Sequence, residues 1–414
     1  MLTTVFLIEI AFLFILIYKY GVINPIPLGY IIFFLYAQAF FIDHFLIGLN
    51  YLNLDGFDTL YISDEKYFYL TLSYFTFFIG YSFTTIFNFS NKTILDSKYI
   101  INSSNKTNII IIISILILLY FLTTTFGLTR YEKIDWFQSH KLFTITLNII
   151  GYIWIILFLR KNISKKPNFL IWIITITFLF YAILSGGREL IVFIILTIMF
   201  LKFEKYNSIK IILIGLVLFL FLIILKPLLS FIQGNNYDLN VLWEIMTRSS
   251  TYGLTRIDPK PSIFLITGYF DENMKEFYNQ FEFTYIQNTY NQFLRTLKLI
   301  EYKSLAEQTA QYFMNTNEKG KGYAFSGILE SMLNFWYFGP FLLGLLLGYI
   351  TKKINELKYI DRYKYHVLSI FVTILIFKLV RTELAVVLKI YLLPMAIAYF
   401  VVFKNSYKIK LYEK

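Results

Sequence analysis

The chain has 414 residues, of which 57% are hydrophobic, 20% aromatic and only 15% charged. A soluble domain averages about 45–50% apolar and about 25% charged residues, so a surface facing water alone cannot absorb this excess. With no cysteine, disulfides, thiolate metal sites and a cysteine nucleophile are excluded.

Apolar runs of roughly the 20 residues needed to cross a bilayer recur from end to end. Eleven spans are predicted, at residues 4–20, 28–48, 67–88, 108–126, 142–159, 168–184, 189–203, 209–229, 329–350, 365–380 and 384–403. The expected fold is therefore an all-α polytopic integral membrane protein with about 11 (10–12) transmembrane helices. The first run has neither a basic n-region nor an A-x-A-like site, so no cleavable signal is expected.

Loop charges set the orientation. Residues 91–107 carry Lys92, Lys98 and Lys106 against Asp96, and residues 160–167 have four cations and no anion. Residues 202–210 are net +2, and residues 352–364 and 404–414 are each net +3. These connections are placed in the cytoplasm with the C-terminus. The net charge of +12 follows from this bias, and no nucleic-acid partner is needed to explain it. The other set lies outside: residues 51–66 hold Asp55, Asp58, Asp64 and Glu65 against Lys66, and residues 230–328 hold nine cations and ten anions. An odd number of spans puts the N-terminus outside as well. The predicted organisation is an N-terminal bundle of about eight spans over 1–229, one large outer loop over 230–328, and a C-terminal bundle of about three spans with a cytoplasmic tail over 329–414. Within the loop, aromatic residues alternate with charge in EFYNQFEFTYIQNTYNQFLRTLKLIEYKSLAEQ, which predicts amphipathic helix on the outer face.

Several charges break the apolar rule. Spans six and seven form a hairpin around Ser185-Gly186-Gly187-Arg188-Glu189. At about 1.5 Å per residue the second covers only about 22 Å of an about 30 Å hydrocarbon layer, so Arg188 is expected in a recess below the outer surface. An intramembrane arginine marks a functional site by default. Span nine opens at Gly320-Lys321-Gly322, carries Ser326, Glu330 and Asn334, and reaches Gly339-Pro340, where a kink is predicted. Span ten ends in Lys378-Leu379-Val380-Arg381-Thr382-Glu383, and Arg248 and Arg256 lie near the start of the outer loop. Singly, each arginine also reads as an interface anchor or a loop charge, and Glu330 as the structural partner of one of them. Together, all five fall on the outer side. Guanidinium forks suit bidentate phosphate recognition, and a carboxylate suits proton transfer at a hydroxyl. The simplest site is one for a phosphate-bearing lipid. No Walker loop, G-x-G-x-x-G or H-E-x-x-H occurs, which argues against nucleotide use and a zinc hydrolase.

The many spans with one large late outer loop, the SGGREL run at 185–190 and the stretch from Gly322 to Gly348 resemble the O-antigen polymerase (Wzy) family. The resemblance implies a GT-C-like fold and a metal-independent glycosyltransferase in the bacterial inner membrane with its site facing the periplasm. It implies polymerisation of undecaprenyl-diphosphate-linked oligosaccharide repeat units, with no cofactor and with a polysaccharide chain-length regulator as partner. Glu330 is then the acceptor's base, and Arg188, Arg248, Arg256 and Arg381 bind the diphosphate. The choice between Arg248 and Arg256 stays open.

Three alternatives compete. An O-antigen ligase resembles this pattern but uses an outer-loop histidine, and His44, His140 and His366 all lie outside 230–328. A lipid-oligosaccharide flippase calls for paired halves and charges within spans. A metal-dependent glycosyltransferase would draw on the acidic residues of 51–66, which read more simply as a solvated loop. The topology is tested with single cysteines: an impermeant thiol reagent is expected to label Asn279→Cys and spare Ser164→Cys in intact spheroplasts.

Overall fold

The computed structural model describes residues 2–47, 51–52, 60–61, 64–86, 98–101, 105–125, 132, 136, 141–164, 169–184, 188–203, 210, 283–296, 299–305, 307–308, 326–404 and 407–410. The first seven helices are α1 (Leu2–Tyr20), α2 (Pro25–Ile47), α3 (Asp64–Ile86), α4 (Asn105–Thr125), α5 (Lys141–Ser164), α6 (Phe169–Leu184) and α7 (Arg188–Ile198). They are followed by α8 (Thr284–Thr296), α9 (Gly327–Phe335), α10 (Gly339–Glu356), α11 (Arg362–Leu379) and α12 (Leu384–Val402). Apart from 209–229, of which only Lys210 is described, every predicted span falls on helix. Among the described residues, three stretches are long and apolar enough to cross a membrane: Asn108–Thr125, Gly327–Tyr359 and Leu384–Val402. Shorter apolar helices run Pro25–Gln38, Ile145–Arg160 and Phe169–Tyr181. α4 turns Ile109, Ile112, Leu116 and Leu119 outward, the pattern of a helix apolar all round.

The chain forms two compact units, one of Met1–Phe89, Asp238–Lys352 and Leu375–Lys389, the other of Ser90–Tyr237, Lys353–Ile374 and Ile390–Lys414. In the first, α1, α2 and α3 pack through aromatic rings. Phe33 and Phe77 lie 4.1 Å apart by ring centroid, and Tyr30 and Phe78 lie 4.4 Å apart. Their polar atoms are satisfied inside the bundle: the Tyr30 hydroxyl donates to the Glu9 carbonyl (2.9 Å), and the Tyr81 hydroxyl to the Ile26 carbonyl (2.8 Å). A short ribbon, β1 (Tyr51–Leu52) with β2 (Leu60–Tyr61), closes the loop between α2 and α3.

α3 meets α10 backbone to backbone. A Cβ placed on Gly344 would run into the Phe77 carbonyl, one on Gly80 into the Phe341 carbonyl, and one on Gly348 into Thr84 and Tyr81. Gly344 and Gly348 are four apart on one face of α10, the small-xxx-small arrangement that lets apolar helices approach closely.

In the second unit Trp154 of α5 donates from Nε1 to Thr175 Oγ1 of α6 (3.0 Å), and the Tyr363 hydroxyl donates to the Ile156 carbonyl (2.9 Å). Asp361 caps α11 by accepting the Lys364 N–H at 2.8 Å. β3 (Lys98–Ile101) pairs antiparallel with β4 (Tyr407–Lys410), Lys98 opposite Lys410 and Ile101 opposite Tyr407.

The bend predicted at Gly339-Pro340 is a break, and it lies three residues earlier. α9 ends at Phe335, Trp336 takes φ 55°, and Trp336–Phe338 form a single tight turn before α10 begins. Pro340 has no N–H to give the Trp336 carbonyl, so the Gly339 N–H takes that carbonyl instead and tightens the turn upstream of the proline. Gly339 then passes so close to the Ser331 carbonyl that no side chain fits.

Because the α3–α10 contact has no room for a methyl group, Gly344→Ala is expected to cost about 1–3 kcal/mol by overpacking. Thermal unfolding followed by size-exclusion chromatography should show a midpoint several degrees lower. Gly151→Ala, where the added carbon would sit 3.3 Å from the Phe178 ring, should shift it less.

Candidate functional site

The site begins with a helix cap. Ser326, in extended conformation, accepts the Ile328 N–H on its hydroxyl (3.1 Å) and starts α9. A side chain at Gly327 would collide with Leu379, so glycine brings the start of α9 against the end of α11. Glu330 follows in the first turn and is completely buried. Its Oε2 accepts the Leu384 N–H at 2.6 Å, across 54 residues of sequence. Leu384 is the first residue of α12, and Glu383, at the cap position, makes no side-chain capping bond. Glu330 therefore caps α12 from another helix, placing a carboxylate where exposed N–H groups and the helix dipole favour negative charge. The Asn288 amide is its neighbour, and Oε1 makes no hydrogen bond of standard geometry.

Over this carboxylate lies α8, whose packing partners are α9 and the start of α12. Thr284, Asn288 and Gln292, spaced four apart on one face, are all buried. Asn334 holds the N-terminal end: its Oδ1 accepts the Tyr285 N–H (3.1 Å), and its Nδ2 donates to Thr284 Oγ1 (2.7 Å) and to the Glu330 carbonyl (2.6 Å). Arg295 holds the other end in a forked pair with Glu307, at 2.6 and 3.2 Å. Glu307 also exchanges hydrogen bonds with Ser304, accepting its N–H at 2.8 Å and donating its own N–H to the Ser304 hydroxyl at 3.2 Å. Burial pushes the Glu307 carboxyl up, but Arg295 and the Ser304 N–H outweigh it and hold it below its ordinary value. For Tyr302, burial first and then the nearby carboxylates of Glu383 and Glu330 raise the phenol, against hydrogen bonds with Gln308 and Asn291. The connector from α11 to α12 delivers Leu384 to the carboxylate. In it the Arg381 and Thr382 N–H groups both donate to the Lys378 carbonyl at 2.9 Å, and Lys378 and Glu383 are buried.

Of the five residues singled out from sequence, Glu330 and Arg381 lie in the same unit, with Arg381 three positions before the Leu384 that bonds Glu330. Arg188 is the first residue of α7, in the other unit. Arg248, Arg256 and the Ser185–Gly187 part of the hairpin lie outside the described residues. Sequence reasoning missed Asn288 and Gln292, although their i, i+4 spacing with Thr284 was visible. It also missed Glu9, completely buried in α1, whose Oε2 accepts a 2.5 Å hydrogen bond from Gln38 Nε2. The signal there was a single acid in an apolar run. Among the described residues no three histidine or acidic side chains gather to hold a metal ion. No family model, no curated protein and no solved structure matches the chain.

Asn334→Ala removes the two bonds that hold the start of α8 and a third to the Glu330 carbonyl, at about 0.5–1.5 kcal/mol each. The expected outcome is a lower unfolding midpoint with faster tryptic cleavage after Arg295 and Lys298, while Gln287→Ala, at an exposed position of α8, leaves both unchanged.

Proposed function

We propose that this chain is a membrane glycosyltransferase of the O-antigen polymerase type, joining undecaprenyl-diphosphate-linked oligosaccharide repeat units at the periplasmic face of a bacterial inner membrane. The observation that carries the proposal is Glu330: a buried carboxylate fixed by one oxygen to the Leu384 N–H, with Oε1 free of standard hydrogen bonds and a polar helix face above it. The family resemblance of the outer-loop pattern supports it from the sequence side.

In this reading Oε1 takes the proton of an acceptor-sugar hydroxyl as that oxygen attacks the anomeric carbon of the growing chain. The bond from that carbon to the lipid diphosphate breaks, and its electron pair leaves with the diphosphate. Guanidinium groups stabilise the departing charge, with Arg381 of the connector and the sequence candidates Arg248 and Arg256 in that role. A single displacement inverts the anomeric configuration. Fixing one carboxylate oxygen orients the other before substrate arrives, which is the contribution a positioned base requires.

Glu330→Gln separates the two roles, because the amide oxygen can still accept the Leu384 N–H but cannot take a proton. The expected result is a loss of about 10²–10⁴-fold in chain growth at normal protein level and unchanged melting. On a lipopolysaccharide gel the variant should match the deletion strain, with lipid A–core carrying a single repeat unit. Wild-type ladders from this variant would leave Glu330 as the cap of α12 and remove the proposed base. Bare core in the deletion strain would point instead to ligation or flipping.

A further inference from the structure

α8 is packed inside out for a helix in water. Its buried face is polar, with Thr284, Asn288 and Gln292 only 1%, 1% and 3% exposed. Its outward face is apolar, with Ile286, Tyr290 and Phe293 exposed by 67%, 61% and 59%. At 100° per residue these two sets lie on opposite sides of the helix. A surface helix in aqueous surroundings presents the reverse arrangement, and a contiguous exposed apolar face marks a surface meant to be covered.

The surface around it indicates what covers it. Phe335 lies edge-on to Phe283 at 5.5 Å and beside Tyr285 at 6.0 Å, so the α8 face continues into the exposed turn of Trp336 and Phe338. From there it runs on to Leu342 and Leu346, the outward stripe of α10. That stripe belongs to Gly327–Tyr359, one of the stretches long and apolar enough to cross a membrane. The α8 face is thus one end of a surface whose other end already has the character of a lipid-facing helix. It bears no formal charge, since Arg295, the single charged residue of α8, is engaged by Glu307. Tryptophan and tyrosine at the edge of such a surface fit the boundary between acyl chains and headgroups.

We propose that the Ile286–Tyr290–Phe293 face of α8 lies in the hydrocarbon of the bilayer, making α8 a lipid-embedded roof whose polar underside covers Glu330. The occupant is acyl chain, not water and not a second copy of the chain. Glu330 then lies beneath the helix at the depth of the lipid boundary. This placement stands on the burial pattern alone and does not depend on the transfer chemistry.

The absence of native cysteine makes the test direct. Nitroxide labels are placed on Ile286→Cys, Tyr290→Cys and Phe293→Cys in the full chain, reconstituted in phosphatidylcholine–phosphatidylglycerol vesicles. Power-saturation electron paramagnetic resonance then compares collision with oxygen, which concentrates in hydrocarbon, and with a water-soluble nickel chelate. The expected result is several-fold greater access of oxygen than of nickel at all three positions, as at Leu346→Cys, with the opposite order at the exposed Lys303→Cys. Nickel-dominated relaxation at the three positions would place the face in water and overturn the proposal. Low access to both reagents would show a protein cover and overturn it equally. The side chains replaced are exposed, and three independent labels keep the test decisive if one variant folds poorly.

Discussion

The hydrogen bond from the Leu384 N–H to Glu330 is the constraint on which the arrangement of α8, α9, α11 and α12 depends. A helix beginning inside a protein leaves its first N–H groups without partners, and a buried donor left unpaired costs about 1–3 kcal/mol. Glu383, in the cap position, does not supply the acceptor, so it comes from α9. That requirement fixes three elements at once: α9 must present Glu330 on its inner face, α11 must end where Leu379 meets Gly327, and the Lys378–Glu383 connector must be short enough to deliver Leu384. Arg381 is placed by the same geometry, as a residue of that connector.

The carboxylate in turn can be held there only because α9 is separated from the helix that follows it. Had Gly327–Tyr359 been one straight helix, Glu330 and the Gly344–Gly348 face would have shared a rigid axis. The turn at Trp336–Phe338 lets α10 press its glycines against α3 while α9 aims elsewhere. Two different demands, close backbone packing and a buried polar cap, are met by two short helices that the apolar pattern alone reads as one. Proline and glycine supply the break by removing one helical donor and one Cβ.

How much of this was legible from the sequence follows from what each signal encodes. Apolar run length encodes helix position, and the predicted ranges fall on helices wherever residues are described. Loop charge encodes side. Neither signal encodes partners. Nothing local to Glu330 announces that its acceptor is needed 54 residues later. Sequence places the kink at Pro340 because proline is the visible residue, yet the missing donor is felt at the Trp336 carbonyl, one turn back. Glu9 was passed over because hydropathy averages a single acid away, whereas the structure gives it Gln38. Asn288 and Gln292 fall in a stretch that reads as amphipathic helix, but the pattern does not say that their face is the buried one. Of the four arginines, only Arg381 has its surroundings defined by described neighbours.

The inverted helix shows why periodicity was insufficient on this point. An amphipathic pattern gives two faces and leaves open which one meets the protein, since the answer depends on the solvent outside. The observed packing supplies that choice: Asn334 and the Arg295–Glu307 fork pin both ends of α8 so that its polar face is inward. Glu330 and Glu383, both buried, would be costly neighbours for an apolar helix, because a desolvated charge needs dipoles around it. A polar underside lowers that cost, and an apolar upper side is then tolerable only where the surroundings are themselves apolar. The same reasoning that buries a carboxylate under α8 thus constrains what lies on the far side of that helix. Capping at Leu384, polarity under α8 and hydrophobicity over α8 are one arrangement, with each layer stable because of the next.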